Sequence, residues 1–426
     1  MCGPVNSIRH HSDVLIIGAG PAGMAAAYTA SQSGQRVTIV DDNPTPGGQI
    51  WRGEARKSAS PEAAEWLRKI QDANVSFIHS ARVFAQPEDG LLLAETFDGV
   101  CLLAYQKLIL ATGARERFLP FAGWTLPNVM GAGGLQALVK AGLPVKGKKI
   151  IVAGSGPLLM AVAAYLQQQD AEVLLIAEQA AWPRLLRFGL GLFTDPGKLR
   201  QAVALKNQLT GVKYLTSCWP IAAHGHTMLT QVTMQRGSHT WQVNCDYLAC
   251  GFHLIPNLEL AALLGCEFQN GGVRVDDDQQ TSVANTYCAG ESTGIGGLDL
   301  SLVEGQIAGF AATGHSDKAR QLFAARRKAR RFADRLNRTF ELRAELKALP
   351  QADTIICRCE DVTLARLQTQ ASWRAAKLQT RCGMGPCQGR ICGAAVEFLL
   401  GWQPESVRPP AFPARIESII TDINQS

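Results

Sequence analysis

Two apolar stretches, each broken by a glycine-rich turn and followed by a compact apolar run, constrain the fold of this chain more than any other feature. The first is Val14, Leu15, Ile16 and Ile17, then Gly18-Ala19-Gly20-Pro21-Ala22-Gly23, then Met24 to Ser31. The second is Lys149 to Ala153, then Gly154-Ser155-Gly156-Pro157-Leu158-Leu159, then an apolar run to Gln169. An uninterrupted apolar run of this length suits a strand covered on both faces of a parallel sheet. A turn from such a strand into a helix needs glycine for the sharp bend, for close approach of a pyrophosphate and for tight packing of helix on sheet. The free amides and positive dipole end of the helix then attract phosphate, so the loop needs no lysine. Each unit continues into a second strand ending on an acid, Arg36 to Val40 on Asp41 and Val173 to Ala177 on Glu178. An acid at that point is placed to accept from a ribose hydroxyl. The expected fold class is α/β, with two Rossmann-like nucleotide-binding domains.

The two units are not equivalent. Leu159 stands where the third glycine of the second loop belongs, which holds the helix away from the sheet and loosens dinucleotide geometry. The second unit therefore reads as a Rossmann fold whose ligand is open: NAD, another nucleotide or flavin there or at an interface with a partner, or none. If it is filled, Glu178 favours NAD over NADP, because a carboxylate repels a 2′-phosphate. His253, after Ala249-Cys250-Gly251-Phe252, reads as a satisfied loop histidine.

Cysteine placement is the next constraint. Of twelve cysteines, Cys357, Cys359, Cys387 and Cys392 form a Cys-x-Cys and a Cys-x4-Cys, separated by helical sequence, in the last quarter of the chain. Two close pairs of thiolates on a nucleotide-binding chain suggest an iron-sulfur centre wired to a flavin. A four-thiolate zinc site is the rival; its pairs usually have two to four residues between cysteines, so the single residue between Cys357 and Cys359 favours [2Fe-2S]. Cys382 with Cys387 repeats the x4 spacing, which leaves the choice between Cys382 and Cys392 open. Cys2, Cys101, Cys218, Cys245, Cys250, Cys266 and Cys288 are scattered and read as packing residues. No Cys-x-x-Cys lies between the two halves of the first domain, so disulfide reduction is not expected.

At 426 residues the chain exceeds one ordinary core and predicts two or three domains. It carries no export signal and no apolar run of the ~18 residues a membrane span needs, so the expected location is cytoplasmic, with no membrane span and with peripheral membrane association through a complex left open. The net charge of +6 is concentrated between Lys318 and Arg338, around Arg326, Arg327, Lys328, Arg330 and Arg331. Phe323, Phe332, Leu336 and Phe340 recur there at helical spacing, which predicts a basic amphipathic linker helix. Nucleic-acid binding would need aromatic platforms or a recognised module as well, and is not expected.

Three further segments carry a resemblance. Asp42 and the Pro46-Gly47-Gly48-Gln49 segment, Ala111-Thr112-Gly113, and Thr286-Tyr287-Cys288-Ala289-Gly290-Glu291 are similar to FAD-site segments of thioredoxin-reductase-like flavoproteins, with Glu291 where that superfamily more usually has Asp. The likeness implies FAD at the first site, held by Gly18, Gly20, Pro21, Ala22, Gly23, Asp41, Asp42, Gly48, Gln49, Thr112, Gly113, Gly290 and Glu291. It also implies a split FAD domain, 12–123 with 280–313, around an inserted domain at 124–279. A basic linker at 314–350, a [2Fe-2S] domain at 351–402 and a tail at 403–426 complete the expected organisation. Gly294 to Gly297 and Val303 to Gly309 read as a glycine-rich turn into a helix whose amides face the flavin.

Cys357-Arg358-Cys359-Glu360 with Thr380-Arg381-Cys382-Gly383-Met384-Gly385-Pro386-Cys387-Gln388-Gly389-Arg390-Ile391-Cys392 resembles a bacterioferritin-associated-ferredoxin-like [2Fe-2S] module. That module ends one flavoprotein family, the α subunits of heteromeric amino-acid dehydrogenases, which includes proline, hydroxyproline and opine dehydrogenases and the B component of hydrogen cyanide synthase. Ala111 to Arg117 and Gly123-Trp124-Thr125-Leu126-Pro127 extend the resemblance over nearly the whole chain. It implies Cys357, Cys359, Cys387 and Cys392 as ligands, and an electron-transfer role with no catalytic residues of its own. The implied partners are a substrate-oxidising flavoprotein β subunit, together with a small ferredoxin-like subunit. The alternative is a self-sufficient NAD(P)H-dependent reductase.

Overall fold

The computed structural model describes residues 7–52, 61–193, 195–403 and 407–420. Cys2 and part of the 403–426 tail lie outside the described residues. The chain forms two compact units: Met1–Arg115 with Pro256–Asp334 and Ser406–Ser426, and Glu116–Ile255 with Arg335–Glu405. It is the mixed α/β fold that the glycine turns predict.

The first unit is built on a seven-stranded sheet. Strand Ser7–Ile17 lies at its centre, parallel to Val37–Val40 on one side and to Val100–Leu110 on the other. Val75–Ile78 extends the parallel side, and Thr286–Cys288 adds a parallel strand beside Val100–Leu110 after a long excursion of the chain. Leu91–Glu95 and Arg82–Glu88 complete the sheet as an antiparallel arm. The first strand thus begins well before the apolar run, its polar Ser7 to Ser12 half pairing with Val100 to Tyr105.

Helix Pro21–Ser31 leaves the first glycine turn and packs against helix Leu298–Ala312. Small residues line both. A Cβ added to Gly305 would stand 2.1 Å from the Ala22 carbonyl oxygen, and one added to Gly309 would stand 2.3 Å from that of Ala26. The Thr29 hydroxyl donates to the Gln306 carbonyl across the seam, at 3.2 Å. Gly305 and Gly309 are therefore helix-packing residues, and the turn itself is Gly294 to Gly297. In this unit the basic helix Phe323–Thr339 sends Arg330 to the wholly buried Glu304, at 2.6 Å, and Arg326 to Asp277.

The second unit holds a five-stranded, all-parallel sheet in the order Lys213–Thr216, Glu172–Glu178, Lys149–Ser155, Tyr247–Phe252, Val129–Gly131. Helix Pro157–Gln168 leaves the second glycine turn. A three-stranded antiparallel sheet, Cys218–His224, Gln231–Arg236 and His239–Asn244, adjoins it. The cysteine-rich segment belongs to the same unit: a short hairpin, Ile355–Cys357 with Val362–Thr363, then helices Leu364–Gln368, Trp373–Thr380 and Cys392–Leu400. Ile356, Val362, Leu367, Trp373, Ala376 and Val396 give it its own apolar core. The Trp124 indole N–H donates to the Ile355 carbonyl at 2.6 Å and ties the segment to the rest of the unit. Among the described residues, no helix is long and apolar enough to cross a membrane.

Candidate functional site

The first glycine loop is set by close backbone approaches. Gly18 has φ +110°, and a Cβ there would lie 2.2 Å from the Ala111 carbonyl oxygen; one on Gly23 would lie 1.8 Å from the Gly18 carbonyl oxygen. Pro21 starts the helix, where its missing N–H costs nothing. The loop of Gly47 and Gly48 folds back on it: the Gly47 amide donates to the Ala19 carbonyl at 2.9 Å, and a Cβ on Gly48 would stand 2.9 Å from the Gly20 Cα. Asp41 is buried and faces this loop; its Oδ2 accepts from the Ala19 amide at 2.5 Å, and its Oδ1 from the Asn43 backbone and side-chain amides at 2.7 Å each. Asp42 is half exposed beside it, and Gln49 is exposed.

Thr112 and Gly113 follow strand Val100–Leu110 and are clamped by Asn257, which no sequence motif marks. The Thr112 hydroxyl donates to the Asn257 carbonyl at 2.8 Å, the Asn257 side-chain amide donates to the Thr112 carbonyl at 2.9 Å, and the Asn257 backbone amide donates to the Gly113 carbonyl at 2.9 Å. Gly290 and Glu291 sit at the entry to helix Leu298–Ala312. The extra methylene of Glu291, relative to Asp, lets its carboxylate reach the Gly296 and Gly297 amides, at 3.1 and 2.8 Å. Burial raises its pKa. The amides expected to face a flavin thus donate to this carboxylate. Asp41 Oδ2 and both Glu291 oxygens accept one bond each and keep further lone-pair capacity, so Asp41 and Glu291 fit a dinucleotide as hydroxyl acceptors. The loop glycines fit its pyrophosphate.

Five cysteine sulfurs converge in the second unit. The Sγ atoms of Cys357, Cys382 and Cys392 lie within 4.8 Å of one another. Cys359 Sγ is 3.7 Å from Cys387 Sγ, and Cys392 joins the two groups by contacts to Cys357, Cys382 and Cys387. The hairpin supplies Cys357 and Cys359, the loop after helix Trp373–Thr380 supplies Cys382 and Cys387, and Cys392 opens the last helix. Gly385 is required here: a Cβ would lie 2.2 Å from that of Cys359. The Trp373 ring backs Gly383 and Gly389, with added Cβ atoms 2.8 and 3.0 Å from its Cζ2. Donation from Cys382 and Cys392 holds Cys357 down to about 2, and Cys392 holds Cys387 down to about 5. Cys382 is pushed up to about 12, first by its hydrogen bond to Cys357. Sulfurs this close share protons, and a thiophilic cation that displaces those protons fits the all-sulfur donor set.

The remaining cysteines among the described residues are free, buried thiols. Burial pushes Cys218 and Cys245 up to about 12 and raises Cys250 and Cys288, so none is poised as a nucleophile.

Glu178, at the ribose-acid position of the second loop, is wholly buried. Its Oε2 accepts from the Gly156 amide and its Oε1 from the Ala180 amide, each at 2.8 Å. Burial pushes its pKa up to about 7 from an ordinary 4.5. An acid raised in the folded state binds its proton through folding, so its stabilising contribution is full below about pH 4.5 and is lost as pH rises through about 7. At about 1.36 kcal/mol per pH unit, that gap sets a ceiling of about 3 kcal/mol. The stability of the wild type relative to Glu178→Gln is therefore expected to fall by up to that amount between about pH 5 and pH 8, which denaturant titration at both pH values would measure.

Residues 12–311 match the family described as pyridine nucleotide-disulphide oxidoreductase. Hydrogen cyanide synthase subunit HcnB of Pseudomonas aeruginosa is 32% identical, over 89% of this chain and 90% of its own length. An opine oxidase subunit of Agrobacterium tumefaciens is 31% identical, over 93% and 87%. Among solved structures, the L-proline dehydrogenase of P. horikoshii aligns with TM-score 0.68 over 97% of this chain and 80% of that one, at 19% identity.

Proposed function

The chain belongs to the pyridine nucleotide-disulphide oxidoreductase family, and from that premise we propose that it is the electron-transfer α subunit of a heteromeric amino-acid dehydrogenase of the proline, hydroxyproline or opine type. In this reading it binds FAD at the first glycine loop and a [2Fe-2S] cluster at Cys357, Cys359, Cys387 and Cys392. The observation that carries it is the convergence of the thiols in a folded module of their own, on a chain whose first Rossmann loop keeps all three glycines. Two relatives similar along most of their length are named as subunits, which supports partner subunits here; in this reading they are a flavoprotein that oxidises the substrate and a small ferredoxin-like protein.

A bound flavin supplies two-electron chemistry and a bound cluster one-electron chemistry. The residues around them orient and insulate. The amides at the start of helix Pro21–Ser31 hold negative phosphate, with Asp41 fixing the loop through Ala19. Thr112, Gly113 and Asn257 hold the strand end rigid by hydrogen bonds to backbone that leave no side chain of theirs to take a proton. Trp373, Val362 and Ile356 exclude water from the inner sulfurs, while Cys359 remains exposed. Burial of the inner sulfurs with one exposed edge would limit solvent access to a bound centre and so tune its potential.

The test is an anaerobic absorption spectrum of the purified chain with flavin, iron and sulfide quantitation. About one FAD and two irons per chain are expected. Zinc in place of iron, or a chain free of both flavin and metal, sinks the proposal. The division of labour is checked separately: the isolated chain is expected not to oxidise proline-type substrates, and full activity without a partner would overturn that part.

A further inference from the structure

A segment of the chain itself lies against the second glycine loop. We infer that Phe340 to Arg343 is an internal ligand of the second Rossmann unit, seated where a nicotinamide dinucleotide would lie and anchoring the cysteine-rich module that follows it.

A dinucleotide in a Rossmann unit rests its pyrophosphate on the first amides of the helix after the loop and a ribose on the acid ending the second strand. Both positions are taken here. At the loop, the Ser155 hydroxyl donates to the Phe340 carbonyl at 2.9 Å, and the Phe340 ring lies against Gly156, 4.0 Å from where its Cβ would be. The Gly156 amide is spent on Glu178. At the strand end, Glu178 is turned inward and has no exposed surface. The next residue, Gln179, is equally buried and reads the segment on both sides. Its Nε2 donates to the carbonyls of Phe340 and Glu341, at 3.3 Å each, and its Oε1 accepts the Arg343 amide at 3.2 Å. Phe340 is itself buried, with its ring edge-on to Phe188 at 5.6 Å. Beyond Gln179, the Arg343 guanidinium donates to the Ser217 hydroxyl and lies over the Trp219 ring.

A polar side chain with no exposure, whose Nε2 donates to the Ser155 hydroxyl at 2.9 Å and to two carbonyls of one short stretch of backbone, and whose Oε1 takes an amide of that stretch, marks a built binding site whose occupant is peptide. Gln179 matches a backbone amide and carbonyl as a neighbouring strand would. The same unit holds the far end of the segment through the Trp124 bond to Ile355, so the module bearing Cys357 is fixed before and after the connecting turn. The Rossmann fold has become a docking platform, and pyridine nucleotide does not bind at this loop. The inference stands whether or not the cluster proposed above is [2Fe-2S].

Hydrogen exchange on the intact chain, with and without NADH at about 1 mM, the upper end of ordinary Michaelis constants, tests it. The Arg343 amide is expected to be protected in the wild type and unchanged by NADH, and to exchange about tenfold faster in Gln179→Ala, the loss of one hydrogen bond. Should that variant fail to fold, Ser155→Ala removes a single hydroxyl from the same seat and is expected to speed exchange over 340–343. NADH binding elsewhere on the chain leaves the segment's exchange untouched and agrees with the inference. An unprotected segment in the wild type, or NADH binding that releases it, overturns it.

Discussion

Serine at Cys357, Cys359, Cys387 or Cys392 is expected to strip iron from the purified chain while leaving its flavin content unchanged, and serine at Cys382 is expected to leave both in place. Removing a group one shell outside a metal's ligands already costs about 10- to 100-fold in affinity; losing a thiolate ligand is expected to exceed about 100-fold. The five sulfurs are not equal. Cys359 and Cys387 form the outer, accessible pair, and Cys357 and Cys392 the inner pair, joined through the Cys387–Cys392 contact. The two irons of the proposed centre would need two sulfurs each, and these pairs would supply them. Cys382 is fully buried and lies with Cys357 and Cys392 in the inner group of sulfurs, where the proposed ligand set makes it a thiol beside the ligands. Iron analysis and visible absorption of the five variants decide it. Iron lost from Cys382→Ser and kept in Cys392→Ser would reassign the inner pair. Because the first glycine loop lies on a different sheet from the cysteines, flavin content is an internal control for folding.

Local pattern made the parallel strands and both glycine turns legible, because an apolar run and a glycine at a tight approach are decided within a few residues. The same pattern does not decide where a side chain has two destinations. Asp41 and Glu178 have the right type and spacing for a ribose acid, yet Glu178 is drawn under its own loop by the Gly156 and Ala180 amides. Gly305 and Gly309 read as part of a turn into a helix, and what the sequence could not show is that they serve a helix seam formed with residues some 280 positions earlier. Gln179 and Phe340 could not be paired from sequence, being 161 residues apart. The polar start of the first strand, Ser7 to Ser12, was invisible as a strand, since its partner, Val100 to Tyr105, lies where the sheet passes into the antiparallel arm and one face need not be apolar. Cysteine spacing located the cluster, but four residues between cysteines fits two choices of pair, and packing around Trp373 brings in all five sulfurs.

That helix seam leads to the second large effect. Gly309→Ala is expected to lower the stability of the first unit and weaken its retention of flavin, although alanine is the better helix former. Glycine inside a helix costs about 1 kcal/mol relative to alanine, so an exposed site would be stabilised. Here the new methyl would stand 2.1 Å from the Thr29 hydroxyl and 2.3 Å from the Ala26 carbonyl oxygen. The hydroxyl can rotate away, at the loss of its bond to Gln306; the carbonyl belongs to helix Pro21–Ser31 and cannot move alone. Overpacking costs about 1–3 kcal/mol when side chains can give, and more when backbone must. The clash therefore outweighs the propensity gain, and a net loss of about 2 kcal/mol corresponds to about 4–8 °C in Tm for a unit of this size. Separating the helices also tilts helix Pro21–Ser31, whose start carries the Gly18 to Gly23 loop. Flavin release is then expected in parallel with the Tm drop, and more steeply in the Gly305→Ala, Gly309→Ala double variant, where both ends of the seam are forced apart. Calorimetry with flavin fluorescence on the same samples measures both. A Tm raised by the propensity gain, with flavin retained, would show that the seam opens at little cost and that the glycines are not what holds the loop in place.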